Sequence, residues 1–93
     1  MQKDGWQEFL KMCFNIKNVK ELEELFDLFL TFEEKAALAA RSLTIKALLE
    51  AKLTQREIAK NYKVSIAQIT RGSNALKRIG PRLEKFLKNS LEE

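Results

Sequence analysis

The sequence predicts an all-α protein of six short helices, and its composition supplies the main reasons. Leucine occurs 14 times but valine only twice, and long or γ-branched side chains favour helix over strand. Three glycines and one proline are too few for the frequent turns of a strand-rich domain. With 45% hydrophobic and 32% charged residues among 93 positions, we expect one folded domain over residues 1–93.

Residue types that enzymes and metal sites depend on are scarce. The chain has no histidine and one cysteine, Cys13, so the usual general base and the commonest metal ligand are missing. We expect no catalytic residue and no metal. The longest uncharged stretch, Val64 to Thr70, is far below the roughly 18 residues of a membrane span. The N-terminus carries the acids Asp4 and Glu8 where a signal peptide is apolar, which favours a cytoplasmic protein without membrane contact.

The charge changes sign near the middle of the chain. Residues 1–40 carry five Lys/Arg and eight Asp/Glu, a net −3, and residues 41–93 carry twelve and five, a net +7. Residues 52–82 hold eight basic side chains and one acid, Glu57. This asymmetry favours an acidic scaffold and a basic half that meets a polyanion. A solvated basic surface without a partner is the alternative.

Apolar residues at three- and four-residue spacing predict two N-terminal helices. Asp4 is a candidate cap for the first helix, whose apolar face holds Trp6, Phe9, Leu10, Cys13 and Phe14. The second follows Asn18, with Leu22, Leu25, Phe26 and Phe29 on one face. Because a chain of this length cannot bury so many apolar side chains alone, we expect an obligate dimer.

Capping-box sequences mark the next three helix starts. They lie at Thr31–Glu34, Thr54–Glu57 and Ser65–Gln68. The first opens a helix over about 32–50 whose apolar side holds Leu38, Ile45, Leu48 and Leu49. Gly80-Pro81 then separates the fifth helix from the last, since glycine suits a helix exit and proline a first turn.

Two helix starts eleven residues apart predict a helix-turn-helix. Ala59 is the small residue at the helix crossing, and Lys63 occupies the turn position that glycine often holds. The apolar residues that lock the two helices together are Ile58, Tyr62, Val64 and Ile69. A plain helical corner has the same pattern, but pattern and charge together favour DNA binding with the second helix in the major groove.

The predicted DNA contacts fall into two groups. Base-reading candidates on the second helix are Ile66, Ala67, Gln68 and Thr70. Flanking candidates for the phosphates are Gln55, Arg56, Lys60, Lys63, Lys77 and Arg78. Gly72 within this helix costs about 1 kcal/mol relative to alanine, which indicates either a close approach to its backbone or a tolerated kink.

Several segments resemble the bacterial trp repressor family. They are Leu28-Phe29-Leu30-Thr31, Arg41, Thr54-Gln55-Arg56-Glu57 and the run from Ile66 to Lys77. The resemblance implies an all-α, intertwined homodimer that binds a palindromic operator and represses tryptophan biosynthesis or uptake genes when L-tryptophan is bound. It also implies dimerisation helices over 1–50, a reading head over 54–78 and a C-terminal helix over 81–91.

The resemblance further implies a pocket for L-tryptophan as corepressor. Its residues are Leu28, Leu30, Thr31, Arg41, Arg71 and Gly72. The planes of Arg41 and Arg71 would enclose the indole, and Arg71 and Thr31 would hold the carboxylate. Backbone carbonyls of Leu28 and Leu30 would receive the ammonium group.

Two positions depart from the family pattern, since Ala75 and Gln68 stand where the family has hydroxyl side chains. Losing the first hydroxyl removes a polar partner worth about 0.5–1.5 kcal/mol. Two other interpretations stay open. One is a helix-turn-helix regulator without a ligand or with a different one, and the other is a helical dimerisation module whose basic half meets an acidic protein.

Overall fold

The computed structural model describes residues 3–91, and within that range the chain is helical without any strand. The six helices are α1 Lys3–Phe14, α2 Val19–Phe29, α3 Phe32–Glu50, α4 Gln55–Tyr62, α5 Ile66–Leu76 and α6 Pro81–Leu91. The predicted all-α class and the six helices are confirmed. No described helix is long and apolar enough to cross a membrane.

The chain folds as two compact units that divide between Lys35 and Ala36. In the first unit, Phe9 stacks on Trp6 and Phe26 with centroid separations of 5.7 and 6.3 Å, and meets Phe29 edge-on at 5.2 Å. Such aromatic pairs stabilise a contact beyond the area that they bury. The single domain predicted over 1–93 stays a prediction. So does its division into dimerisation helices over 1–50, a reading head over 54–78 and a C-terminal helix over 81–91.

Reciprocal hydrogen bonds at the helix starts confirm the three capping boxes. At Thr31–Glu34 the backbone N–H of Thr31 donates to Glu34 Oε1 at 2.8 Å, and the N–H of Glu34 donates to Thr31 Oγ1 at 3.1 Å. The same pair of bonds is present at Thr54–Glu57 and at Ser65–Gln68. Each box satisfies two donors that a helix start would otherwise leave unpaired.

The first two helices begin differently from each other. Asn18 caps α2, because its Oδ1 accepts the N–H of Glu21 at 2.8 Å. Asp4 lies within the first turn of α1, so its predicted role as the cap is wrong. A capping residue must precede the first helical residue, and α1 already includes Lys3.

The buried core of the described chain lies in the second unit and joins α3, α4 and α5. Ile58 and Ile69 are fully buried, and Ala47 is 3% exposed. Partly buried neighbours packed against them are Leu48, Leu53, Ala59, Tyr62 and Val64. The predicted apolar lock between the two helices of the helix-turn-helix is therefore confirmed.

The predicted apolar side of α3 is buried in part, since Ile45, Leu48 and Leu49 are half-buried and Leu48 packs against the core. Thr44 and Ala47 are buried, whereas Leu38 is 50% exposed. The Thr44 hydroxyl donates to the carbonyl of Ala40 at 2.9 Å, so burial does not leave its proton unpaired. Because these side chains are small, α5 comes close to α3 at Gly72, where an added Cβ would lie 3.5 Å from Leu48 Cδ1.

Two helices end at a non-glycine residue in the left-handed region. Ala51 follows α3 with φ 57°, and Lys63 follows α4 with φ 56°. Lys63 is the turn position at which the sequence departs from the usual glycine. An L-residue in this conformation costs about 1–2 kcal/mol.

Replacing Ala51 by glycine should stabilise the protein. We expect Ala51→Gly to raise the free energy of unfolding by about 0.5–1 kcal/mol, because relief of the left-handed strain exceeds the added chain entropy of glycine. Urea unfolding at fixed protein concentration measures the change. Ala39→Gly, on the exposed side of α3, should instead lower stability by about 1 kcal/mol. Equal effects at the two positions would contradict the assignment of strain to Ala51.

Candidate nucleic-acid interface and ligand cavity

The helix-turn-helix consists of α4, a short turn and α5. The turn is closed at Ala59, whose carbonyl accepts the N–H of Lys63 and, at 3.2 Å, the N–H of Val64. The Ser65–Gln68 capping box then starts α5 directly after the turn. These bonds and the buried contact between the two helices fix how α5 is presented.

One side of α5 is buried and the other faces outward. Ile69 and Gly72 are buried three residues apart, as expected for one helix face. All four base-reading candidates are exposed, Ile66 by 49%. The outward side therefore carries the small and polar groups that can approach base edges.

The candidates for phosphate binding lie on α4, in the turn and directly after α5. All are exposed, namely Gln55, Arg56, Lys60, Lys63, Lys77 and Arg78. Ion pairs within residues 4–91 join Lys11 to Glu8, Lys35 to Asp27 and Lys88 to Glu84, so none of these cations is paired there. The carboxylate of Glu57 accepts the N–H of Thr54 at 2.8 Å and neutralises none of them by direct contact.

A cavity of about 80 Å³ lies between α3 and α5. It brings together Arg41 and Gly72, two of the predicted ligand residues, with Gln68 from the predicted DNA contacts. The other lining residues are Ala37, Ala40, Thr44, Ile45 and Val64. Its walls are mostly apolar, Arg41 is the single charged group lining it, and no acidic residue does so.

The remaining predicted ligand residues are not among those that line this cavity. Leu28, Leu30 and Thr31 belong to the first compact unit, and Arg71 is exposed on α5 and does not line the cavity. Their assignment to a tryptophan pocket stays a prediction.

Sequence reasoning missed five of the cavity residues, namely Ala37, Ala40, Thr44, Ile45 and Val64. Spacing could have indicated the four on α3, because together with Arg41 they follow the i, i+3, i+4, i+7, i+8 pattern of one helix face. Val64 lies in the turn, outside any helical period. Its place at the cavity depends on how the turn folds back towards α3.

Comparison with known proteins gives a consistent match over most of the chain. The family described as Trp repressor protein matches residues 4–91. The Trp operon repressor homolog of Chlamydia caviae is 56% identical over 86 residues, covering 92% of this chain and 85% of the relative. That of Chlamydia trachomatis serovar D is 52% identical over 90 residues, with 97% and 96% covered. That of Haemophilus influenzae strain PittEE is 33% identical over 89 residues, with 96% and 88% covered.

The exposed cations predict DNA binding that falls steeply with salt. Lys77→Ala should weaken binding to every duplex sequence and reduce the slope of log affinity against log salt by about 1, because it removes one phosphate contact. Fluorescence anisotropy between about 50 and 200 mM salt measures the slope. Lys11→Ala, which removes a cation paired with Glu8 in α1, is the control. An affinity independent of salt would refute the interface.

Proposed function

The chain belongs to the Trp repressor family, and from this premise we propose that it is a tryptophan-responsive transcriptional repressor that binds operator DNA as a homodimer. The position of the cavity carries the proposal. Gln68 and Gly72 of α5, the helix assigned to the major groove, line the same cavity as Arg41 of α3. A ligand in this cavity would contact the DNA-reading helix and the core together.

Gly72 supports a ligand in this place because packing alone does not require glycine. An alanine Cβ would meet Leu48 Cδ1 at 3.5 Å and Thr44 Cγ2 at 4.0 Å, which are ordinary contacts. Alanine would also favour the helix by about 1 kcal/mol. We infer that the missing methyl group leaves room for a planar ring, such as indole, over the backbone of α5.

The polar groups assigned to the ligand suit an amino acid with an aromatic side chain. The guanidinium of Arg41 has no ion-pair partner among residues 4–91 and can stack on an indole. Thr31 Oγ1 accepts the N–H of Glu34, which leaves its hydroxyl proton to donate to a carboxylate. Arg71 is likewise proposed for the carboxylate, and the carbonyls of Leu28 and Leu30 for the ammonium group.

Exposed apolar residues of the first unit support a homodimer. Phe14 is 89%, Val19 81% and Leu28 78% exposed, and apolar surface of this extent usually meets a partner. A two-fold dimer would present two copies of α5, and these read a palindrome when they are about 34 Å apart. The ligand favours that spacing only through its higher affinity for the DNA-binding state.

Gel-shift titration on genomic fragments, with and without L-tryptophan, tests the proposal directly. We expect tight, sequence-selective binding with tryptophan and weak, salt-sensitive binding without it. Tight DNA binding that does not depend on tryptophan would favour a regulator without this ligand. The observation that supports this alternative is Ala75, which stands where the family has a serine. Absence of DNA binding would favour the dimerisation module.

Filling the cavity should separate ligand binding from folding. Gly72→Ala should weaken tryptophan binding about tenfold or more, because overpacking a formed site costs about 1–3 kcal/mol. Stability should stay equal or rise. Calorimetry with L-tryptophan and thermal unfolding measure the two effects. Gly80→Ala is the matched control, since its added Cβ meets nothing within 4 Å. Undiminished tryptophan affinity in Gly72→Ala would remove this cavity from the proposal.

The dimer should be obligate. We expect sedimentation at micromolar concentration to give the mass of two chains, and the unfolding midpoint to rise with protein concentration, because folding and association are linked. The physical reason is the apolar surface of α1 and α2, which one chain leaves in water. A folded monomer at micromolar concentration would overturn this part of the proposal.

A further inference from the structure

The corner between α2 and α3 carries three of the residues proposed to hold the ligand, Leu28, Leu30 and Thr31. Two sets of local bonds shape this corner. The N–H of Leu30 donates to the carbonyl of Phe26 at 2.8 Å and closes α2, and the capping box of Thr31 opens α3. Because each set lies at the end of a single helix, neither links the end of α2 to the start of α3.

A side-chain ion pair joins the two helices across this corner. Asp27, near the end of α2, pairs with Lys35, the fourth residue of α3. The two residues are eight positions apart, so the pair encloses the segment 28–34. The side chains of Lys35 and Asp27 are 44% and 54% exposed, and a pair as exposed as this one contributes little to folding stability. Its main consequence is for the geometry of the corner.

The end of α2 suits the ammonium group of an amino acid. The last carbonyls of a helix have no partner within it and form the negative end of its dipole. The last turn of Val19–Phe29 contains no basic residue. The ammonium group is assigned to the carbonyls of Leu28 and Leu30, whereas the carboxylate is assigned to Thr31 and Arg71. The spacing between the ammonium site and Thr31 therefore depends on how the end of α2 is held against the start of α3.

We propose that Asp27 and Lys35 are positioning residues whose ion pair sets this spacing, so that the site selects an amino acid over a carboxylate without the amino group. The inference rests on the proposed function and adds two residues that act through the backbone of the corner. Holding binding groups in one geometry favours the ligand that matches that geometry.

Positioning and direct attraction lead to opposite expectations for Lys35. Once Lys35 is neutralised, an unpaired Asp27 carboxylate would attract the ammonium group of the ligand more strongly. A loss of positioning instead weakens tryptophan binding whichever member of the pair is changed.

The variants Lys35→Gln and Asp27→Asn each break the pair by removing one charge. Calorimetry on the full chain without DNA gives the readout, with L-tryptophan and with indole-3-propionate, which keeps the ring and the carboxylate but lacks the ammonium group. We expect both variants to lower tryptophan affinity about two- to fivefold, the scale of an exposed ion pair. Affinity for indole-3-propionate should stay almost unchanged, because the capping box of Thr31 lies within α3.

Two further variants separate positioning from a general loss of charge. Lys35→Arg keeps a cation that can pair with Asp27 and should retain both affinities. Lys11→Gln breaks the exposed pair of Lys11 with Glu8, which lies within one helix, and should also leave both affinities unchanged. Circular dichroism and thermal unfolding verify that every variant folds.

The possible failures are distinguishable. Wild-type protein that binds no tryptophan would overturn the proposed function and this inference together. If the wild type binds tryptophan, a higher affinity in Lys35→Gln would assign Asp27 to direct attraction and overturn the inference alone. Equal losses for the two ligands, or no loss for either, would also overturn it. Failure of Lys35→Gln or Asp27→Asn to fold would do the same, since the pair would then be needed for folding.

Discussion

The packing of Ile58 and Ile69 with Ala47 is the contact on which the second unit depends. The helices α4 and α5 contain 8 and 11 residues, which is too short for either to be stable alone in water. Burying each isoleucine contributes about 1.5–3 kcal/mol and makes the two helices one rigid element. The same contact decides orientation, because turning Ile69 inward turns the small and polar residues of α5 outward.

The capping boxes at the helix starts of this chain also engage side chains that lie near its proposed binding surfaces. The capping boxes of α4 and α5 engage Glu57 and Gln68, and each engagement changes what that side chain offers its surroundings. Glu57 accepts a backbone N–H and forms no ion pair among residues 4–91. The Oε1 of Gln68 accepts the N–H of Ser65, which leaves the Nε2 amide as the part of this side chain with free donors.

The most exposed apolar residues and the excess of cationic side chains lie in different units of the chain. Residues 1–35 carry five basic and eight acidic side chains and hold the most exposed apolar residues, such as Phe14 and Val19. Residues 36–93 carry twelve basic and five acidic side chains and hold the buried core. Apolar association and polyanion binding require different surfaces, since the first removes water from apolar groups and the second exchanges counterions. Their separation along the chain allows both.

The sequence by itself determined the six helices, three of their caps and the lock between α4 and α5, because these features depend on neighbours within a few residues. The turn at Lys63 shows how far local reasoning extends. The sequence marks it as a turn position that glycine often holds, and Lys63 adopts the left-handed conformation there although it is not glycine. Tertiary structure alone decided which residues of α3 are fully buried. The apolar period included Leu38, which is 50% exposed, and left out Thr44 and Ala47, which are buried. The cavity shared by Arg41, Gln68 and Gly72 has the same origin, since no local pattern specifies which face of one helix another helix will meet.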